Sequence, residues 1–247
     1  APAFGWVQPS ALTNDTVTFY ITRHGQTVYN VASRVQGWCD SQLTDEGIRV
    51  ARLLGRGLAE VPFAQAYCSD AGRAVQTLNA VLAARAKENP QAELPFIHVP
   101  DPRLREWCYG NLEAGPGTEL HAALTRGFGE DLPFDELNRR LPQVAEVLAD
   151  QDDTGRAERF DQVKARLESF FSEAGKQALA VGGGNVLVVT HSFVVRSVMY
   201  LLDPSRVNDP LKIKNDGEIF TLGETASTRW LGEMPPEANA IPFGFRM

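Results

Sequence analysis

Cysteine is scarce in this chain, with only Cys39, Cys68 and Cys108 among 247 residues. The number is odd and no two of them form a Cys-x-x-Cys pair, which argues against a disulfide framework and against a cysteine-ligated metal. Scarce, unpaired cysteine favours a reducing compartment, so we expect a cytoplasmic location. Residues 1–6 have no basic region and no long apolar run, so no intact signal peptide is expected. The chain does not begin with Met, which fits signal cleavage and ordinary Met trimming equally.

Long apolar runs, sequence repeats and an excess of positive charge are also missing. No stretch approaches the length of a membrane span. The formal net charge is -7, which makes non-specific binding to nucleic acid or to a membrane a poor expectation. The chain is 43% hydrophobic, enough for a packed core. Its length suits one domain with an insertion, or two small domains.

Short β-branched runs alternate with helical patterns along the chain. The predicted strands are residues 17–22, 63–68, 95–99 and 185–190, followed by two edge strands at 218–222 and 227–231. Helices are predicted from a Thr44 cap to Leu58, over 71–86, and after His191. Residues 112–184 read as polar and helical, ending in a glycine-rich break. This alternation indicates an α/β sheet, in which ligands bind beyond the carboxyl ends of the strands.

His24 and His191 directly follow the two clearest strands, 17–22 and 186–190. We predict that these strands are adjacent at the centre of a mainly parallel sheet, so that both imidazoles face one pocket. A neutral imidazole can attack phosphorus and form a phosphohistidine. Arg23 would bind the phosphoryl oxygens through its planar guanidinium, and Gly25 would let the backbone approach the substrate. The alternative is that 23–25 form an ordinary turn.

Arg73 and His191 are candidates for holding the phosphate. Arg73 would lie in the first turn of a helix, where a cation is disfavoured unless something anionic compensates. After His191, the backbone N–H groups of Ser192 and Phe193 open the next helix and could bind an anion, while the His191 ring could donate to phosphoryl oxygens. The alternatives are an exposed surface arginine and a satisfied core histidine.

Glu106 is the candidate general acid, because Trp107 and Tyr109 beside it would exclude water and raise the pKa of its carboxyl. The alternative is a glutamate in solvent. Nearby acids compete for the same role, namely Asp101, Glu113 and Glu119.

Together these residues resemble the histidine phosphatase, or phosphoglycerate-mutase-like, superfamily. The matching segments are Arg23-His24-Gly25-Gln26-Thr27-x-x-Asn30, Gln36-Gly37-Trp38-x-Asp40-Ser41-x-Leu43-Thr44-x-x-Gly47, Ser69-Asp70-x-x-Arg73-Ala74-x-Gln76-Thr77, Leu104-Arg105-Glu106-x-x-Tyr109-Gly110-x-x-Glu113 and Val189-Thr190-His191-Ser192. They extend from about residue 16 to 231, with a diffuse stretch at 114–180.

The resemblance implies a three-layer α/β/α sandwich with a mainly parallel central sheet. It also implies one domain over residues 1–247, with a helical cap inserted at about 112–180 and an irregular tail at 232–247. No metal and no organic cofactor are implied, and His98 and His121 have no local partners at ligand spacing.

The family's functional residues can be assigned to matching positions. His24 is similar to the nucleophile and Glu106 to the proton donor. The residues similar to the family's phosphate-binding and substrate-binding positions are Arg23, Asn30, Gln36, Gly37, Arg73, His191 and Ser192.

The activity expected is hydrolysis of a small phosphomonoester, since the run 36–44 is more similar to the small-molecule phosphatases. A cofactor-dependent phosphoglycerate mutase is the alternative. Such mutases usually have Trp at the position of Tyr29 and an Arg-His pair at the position of Trp107 and Cys108. A non-catalytic phospho-ligand-binding protein is a second alternative, disfavoured because the core positions are intact. Five arginines of the cap region could contact a second phosphate or solvate helices, and we expect the latter for Arg126, Arg139, Arg140, Arg156 and Arg159.

Overall fold

A computed structural model describes residues 17–208, 218–222 and 227–230. Its strands are β1 (Val17–Arg23), β2 (Phe63–Cys68), β3 (Phe96–Ile97), β4 (Gly184–Thr190), β5 (Glu218–Leu222) and β6 (Ser227–Trp230). They form one sheet in the order β3-β2-β4-β1-β5-β6. β1 and β4 are parallel neighbours at its centre, which confirms the predicted adjacency.

The helices flank the sheet and connect its strands. They are α1 (Val28–Val31), α2 (Asp45–Gly57), α3 (Gly72–Glu88), α4 (Gly117–Phe128), α5 (Phe134–Arg139), α6 (Leu141–Asp150), α7 (Phe160–Ala180) and α8 (Ser192–Leu202). Short 3-10 turns occur at Pro102–Leu104, Gly110–Leu112 and Pro204–Arg206. The hydroxyl of Thr44 caps α2 by accepting from the Gly47 N–H, as the sequence predicts.

The two faces of the sheet bury separate cores because side chains alternate along each strand. On one face, Phe19 and Val188 pack against Leu167 and Phe170 of α7 and against residues of α8. On the other face, residues of β2 and β4 pack against α2 and α3. β4 is therefore covered on both sides, as its continuous apolar run predicts. The predicted α/β fold, with helices on both faces of a parallel sheet, is confirmed.

Two strand predictions need correction. β5 is not an edge strand, because it pairs antiparallel with β1 on one side and with β6 on the other. β3 comprises only Phe96–Ile97, because its parallel pairing with β2 covers just two residues. Residue 231 and the tail predicted at 232–247 lie outside the described residues, as do residues 1–6.

The predicted cap region contains α4, α5, α6 and α7. The last of these, α7, packs directly on the sheet. Helix α7 therefore connects the predicted cap region to the layer that carries the candidate site. Within the described part of the chain, no helix combines the length and apolarity needed to cross a membrane.

Candidate active site

The carboxyl ends of β1 and β4 bring His24 and His191 together. The His24 N–H continues the strand pairing by donating to the Thr190 carbonyl at 2.9 Å. Both histidines are buried, and their ring centroids are 5.2 Å apart. The two imidazoles therefore lie side by side, as the sequence predicts.

The hydrogen bonding of His24 fixes its tautomer. Its Nδ1 lies 2.7 Å from the carbonyl oxygen of Gly25, which can only accept, so Nδ1 carries the proton. The lone pair is then on Nε2. Burial, followed by the positive charges of Arg23 and Arg73, holds the pKa of His24 well below its ordinary value. The ring is consequently neutral and nucleophilic at neutral pH.

Arg73 is completely buried in the first turn of α3, as the sequence predicts, rather than exposed. Its guanidinium donates to the carbonyls of Gly37 and Cys39 at 2.7 and 2.8 Å and pairs with Asp40 at 2.9 Å. It also donates to Nδ1 of His191 at 3.1 Å. These contacts fix the cation beside the two imidazoles.

Arg23 ends β1 and adds a second cation. Burial lowers the pKa of Arg23, nearby Glu106 opposes this shift and the charge of Arg73 adds to it, so that the pKa is about 9. The side chain remains charged at neutral pH. The two guanidinium groups make the pocket electropositive, which suits a phosphoryl group.

His191 is held through both ring nitrogens. Because a guanidinium only donates, Nδ1 of His191 accepts from Arg73, and Nε2 then donates to the Ser69 hydroxyl at 2.8 Å. Burial, Arg73 and His24 hold the pKa of His191 well below its ordinary value. A direct hydrogen bond from the predicted His191 donor to phosphate would therefore require an exchange of partners.

The Glu106 carboxyl is buried beside the same cations. Burial raises the pKa of Glu106, although N–H groups of Phe193 and Trp107 and the charges of Arg73 and Arg23 oppose the shift. The two N–H groups lie 3.1 and 3.0 Å from its oxygens. A raised pKa suits a group that must carry a proton near neutral pH.

This arrangement corrects the prediction for the start of α8. The Phe193 N–H, which we expected to bind substrate phosphate, donates instead to Glu106. Ser192 begins the helix as predicted. The positive end of the helix therefore also orients the carboxyl.

The competing acids have other partners. Asp101 caps a 3-10 turn and pairs with Arg103 at 2.7 Å. Glu119 lies exposed on α4. Glu113 accepts from the backbone N–H groups of residues 37, 38, 39 and 109 at 2.9–3.2 Å. Burial acts to raise the pKa of Glu113, but hydrogen bonds from the Cys39 side chain and from these N–H groups outweigh burial and lower it.

Asn30 and Gln36 make contacts within the protein. Oδ1 of Asn30 accepts from the Thr27 N–H at 3.0 Å and completes a capping box on α1. Gln36 accepts from the Thr27 hydroxyl at 2.7 Å and donates to Ser41 at 3.1 Å. The described contacts thus give both side chains a local structural role.

Two glycines permit close backbone approach. A Cβ at Gly37 would collide with the carbonyl of Trp107, so residue 37 packs against the Glu106 segment. A Cβ at Gly25 would lie 2.7 Å from the carbonyl oxygen of Gly47. Packing on α2 therefore requires glycine at residue 25, and the predicted approach of substrate to its backbone stays a prediction.

Sequence reasoning did not predict the contacts of several residues that build the site. Ser69 holds His191, Asp40 pairs with Arg73, and the Thr77 hydroxyl accepts from the Gly25 N–H at 2.9 Å. Glu113 ties the 37–39 backbone in place. All four stand within the matching motifs, which was the available signal.

Five arginines of the cap region, those considered for a second phosphate, make contacts on the surface. Arg139 and Arg140 bind Glu136, and Arg159 binds Glu146 and Asp150. Arg126 and Arg156 donate to Gln151 and Thr154. These contacts agree with the interpretation that they solvate helices. The described residues contain no group of three or more histidine, cysteine or acidic side chains that could hold a metal ion.

A sequence profile of the histidine phosphatase superfamily (branch 1) matches residues 19–217. The chain belongs to this superfamily. Its relatives include a 2,3-bisphosphoglycerate-dependent phosphoglycerate mutase 2 of Gloeobacter violaceus, 31% identical over 74% of this chain and 74% of the relative. The fructose-2,6-bisphosphatase TIGAR of Bos taurus is 30% identical over 77% of this chain and 78% of the relative.

The fold is similar to the crystal structure of a phosphoglycerate mutase from Bacillus anthracis. The TM-score is 0.78 at 30% identity, covering 91% of this chain and 96% of the other. The relatives of this histidine phosphatase superfamily member thus include both a phosphatase and mutases.

Proposed function

We propose that this protein hydrolyses a small phosphomonoester through a covalent phosphohistidine on Nε2 of His24. The observation that carries the proposal is the fixed tautomer of His24. Its Nδ1–H is committed to the Gly25 carbonyl, which leaves the Nε2 lone pair for attack on phosphorus. Arg73, which is buried, and Arg23, which is half-buried, would offset the negative charge of the phosphoryl oxygens.

The reaction would proceed in two steps. First, Nε2 attacks phosphorus, the bond to the ester oxygen breaks, and protonated Glu106 gives its proton to the departing alkoxide. Then water attacks the phosphohistidine while the Glu106 carboxylate takes the proton of that water. The P–N bond breaks, inorganic phosphate leaves, and both groups return to their starting forms. General-acid assistance of this kind is worth about 10²–10⁴ in rate.

Residues 107 and 108 support hydrolysis over mutase activity. Trp107 is almost fully buried and donates to the Ser197 hydroxyl at 3.1 Å, and the Cys108 side chain is also buried. Neither offers the charge of the Arg-His pair that cofactor-dependent mutases usually have there. The names of the mutase relatives favour the alternative, so mutase activity belongs in the same test.

Turnover of a panel of phosphomonoesters tests the proposal, with chelator present throughout and 2,3-bisphosphoglycerate-primed mutase activity assayed in parallel. We expect metal-independent release of phosphate, inhibition by vanadate, and a phosphoenzyme trapped by rapid acid-free quenching. His24→Ala should remove turnover and phosphoenzyme together, while His121→Ala, at an exposed histidine, keeps both. Phosphohistidine at His98 or His121, or turnover that chelator abolishes and zinc or magnesium restores, would refute the proposal.

A further inference from the structure

The segment that carries Glu106 has little regular structure of its own. Residues 105–109, here called the acid segment, are neither helix nor strand. Backbone carbonyls buried without regular pairing need other partners. Positioning of the Glu106 carboxyl therefore depends on what holds this backbone.

Arg166, on α7, supplies a partner to two carbonyls of the acid segment and to one just before it, and the Trp38 indole N–H also donates to the Glu106 carbonyl at 3.0 Å. Its guanidinium donates to the carbonyls of Arg103 at 2.8 Å, Arg105 at 2.6 Å and Glu106 at 3.2 Å. The carbonyl of Leu104, between them, accepts from the Thr190 hydroxyl at 2.8 Å. Each carbonyl from 103 to 106 is thus bonded, and three of the four are bonded to one side chain.

Glu158 completes the arrangement. Its carboxylate forms an ion pair with Arg166, in which the two side chains are only 10% and 13% exposed. The same carboxylate accepts from the Cys108 N–H at 3.0 Å, and the Glu158 N–H donates to the Cys108 carbonyl at 3.1 Å. The pair therefore holds the backbone on both sides of Glu106.

We propose that the Glu158–Arg166 pair is the positioning device for the general acid, so that α7 fixes the acid segment from outside the catalytic pocket. This proposal rests on the proposed function only in naming Glu106 as the acid. The planar guanidinium is essential, because several carbonyls in a fixed relation are matched by its divergent N–H groups, whereas a lysine ammonium is a single point donor. Misplacement of a reacting group by 1 Å can cost about 100-fold in rate.

The kinetic test compares Arg166→Gln, Arg166→Lys and Glu158→Gln with the wild type. We expect Arg166→Gln to lower kcat on an alkyl phosphate by about 100-fold, with KM little changed and a much smaller loss on p-nitrophenyl phosphate. The kcat values of Arg166→Lys and Glu158→Gln on the alkyl phosphate should lie between those of Arg166→Gln and the wild type. In a Glu106→Gln background, Arg166→Gln should have almost no further effect on the alkyl substrate, since the acid is already absent.

Glu173→Gln is the matched control. Glu173 also lies on α7 and pairs with Arg103 at 2.7 Å, but it has no bond to residues 105–108. Glu173→Gln should leave the ratio of activities on the alkyl phosphate and on p-nitrophenyl phosphate unchanged. Equal loss by Arg166→Gln on both substrates, or full additivity with Glu106→Gln, would overturn the proposal and reduce the pair to a structural role.

Amide hydrogen exchange gives a readout that needs no activity. The N–H groups of Trp107 and Cys108 should exchange faster in Arg166→Lys and Glu158→Gln, with the amides of β4 unchanged. If the wild type hydrolyses no phosphomonoester, the proposed function fails and the positioning role is judged by exchange alone. Unchanged exchange at Trp107 and Cys108 in folded variants would overturn it.

Discussion

The proton on Glu106 links burial to chemistry at the scale of one residue. Burial raises the pKa of this carboxyl, so it is protonated to higher pH than an ordinary glutamate. Burial also lowers the pKa of His24, so the proposed nucleophile stays neutral at pH values well below the ordinary pKa of histidine. The two shifts together widen the pH range in which the acid is protonated and the base is free.

Glu106→Gln should slow alkyl phosphates by about 10²–10⁴ and p-nitrophenyl phosphate much less, because a phenolate leaves without a proton. As pH rises through the raised pKa of Glu106, the wild-type rate falls as the proton is lost. The variant should lack this alkaline limb. The acid limb should remain, since it reports protonation of His24. Steady-state pH–rate profiles on both substrates measure this, and an equal loss with the alkaline limb unchanged would assign the donor elsewhere.

The second prediction at the scale of one residue concerns the planar guanidinium of Arg73. Arg73→Lys keeps the charge but cannot reproduce the divergent N–H groups, so phosphate and vanadate should bind about 10-fold more weakly, consistent with charge-assisted bonds worth roughly 1.5–3 kcal/mol. Calorimetric titration measures this.

Arg85→Lys is the control for Arg73→Lys. Arg85 is buried on the same helix and donates to two backbone carbonyls, those of Val61 and Glu93. Its replacement should lower stability without changing affinity for phosphate. If Arg85→Lys weakened phosphate binding as much as Arg73→Lys, damage to α3 would be responsible, and not the loss of the Arg73 guanidinium.

At the scale of elements, the loop of residues 37–40 connects Glu113 to Arg73. The Glu113 carboxylate accepts hydrogen bonds from backbone N–H groups of this loop. Arg73 in turn donates to two carbonyls of the loop and to the Asp40 carboxylate. The position of the proposed phosphate-binding cation therefore depends on a carboxylate that is not itself assigned to bind substrate.

Glu113→Gln should weaken vanadate binding by about 10-fold and lower the melting temperature, because an amide NH₂ group replaces an acceptor facing backbone donors. Glu119→Gln, at an exposed carboxylate on α4, should change neither. Inhibition constants and thermal melts give the comparison. A lower melting temperature with unchanged vanadate affinity would show that the loop does not determine the position of Arg73.

At the scale of the whole molecule, the buried histidines make stability depend on pH. In the unfolded chain His24 and His191 take up protons below about pH 6.5, whereas burial resists this in the folded state. Stability from these groups is therefore complete above pH 6.5 and falls as pH drops towards the lowered folded values. Glu106 opposes this slope, since its pKa is raised on folding, and His98 adds to it.

Urea unfolding between pH 7 and 5 should show this dependence. Replacing both His24 and His191 with Gln should reduce the slope of the unfolding free energy by up to about 2.7 kcal/mol per pH unit, about 1.4 for each proton. The contributions of Glu106 and His98 are common to both proteins and cancel in the difference. An unchanged slope would mean that the two imidazoles become protonated in the folded state.

The sequence by itself determined the central architecture and the location of the candidate reacting groups. Continuous apolar runs predicted β1 and β4, because a strand covered on both faces must be apolar on both faces. The position of His24 and His191 after those strands placed them at one end of the sheet. The flanking aromatic residues indicated a buried Glu106, since large apolar side chains exclude water.

Tertiary structure alone decided how those groups are held. Three features depend on neighbours that are distant in the sequence, which no local pattern encodes. They are the hydrogen bond from the Phe193 N–H to Glu106, the packing of Gly25 on Gly47, and the internal position of β5 in the sheet. The Glu158–Arg166 pair reaches backbone carbonyls about 60 residues away. A backbone carbonyl leaves no mark in the sequence, because every residue has one. Contacts between a side chain and distant backbone are therefore the part of this site that only the fold determines.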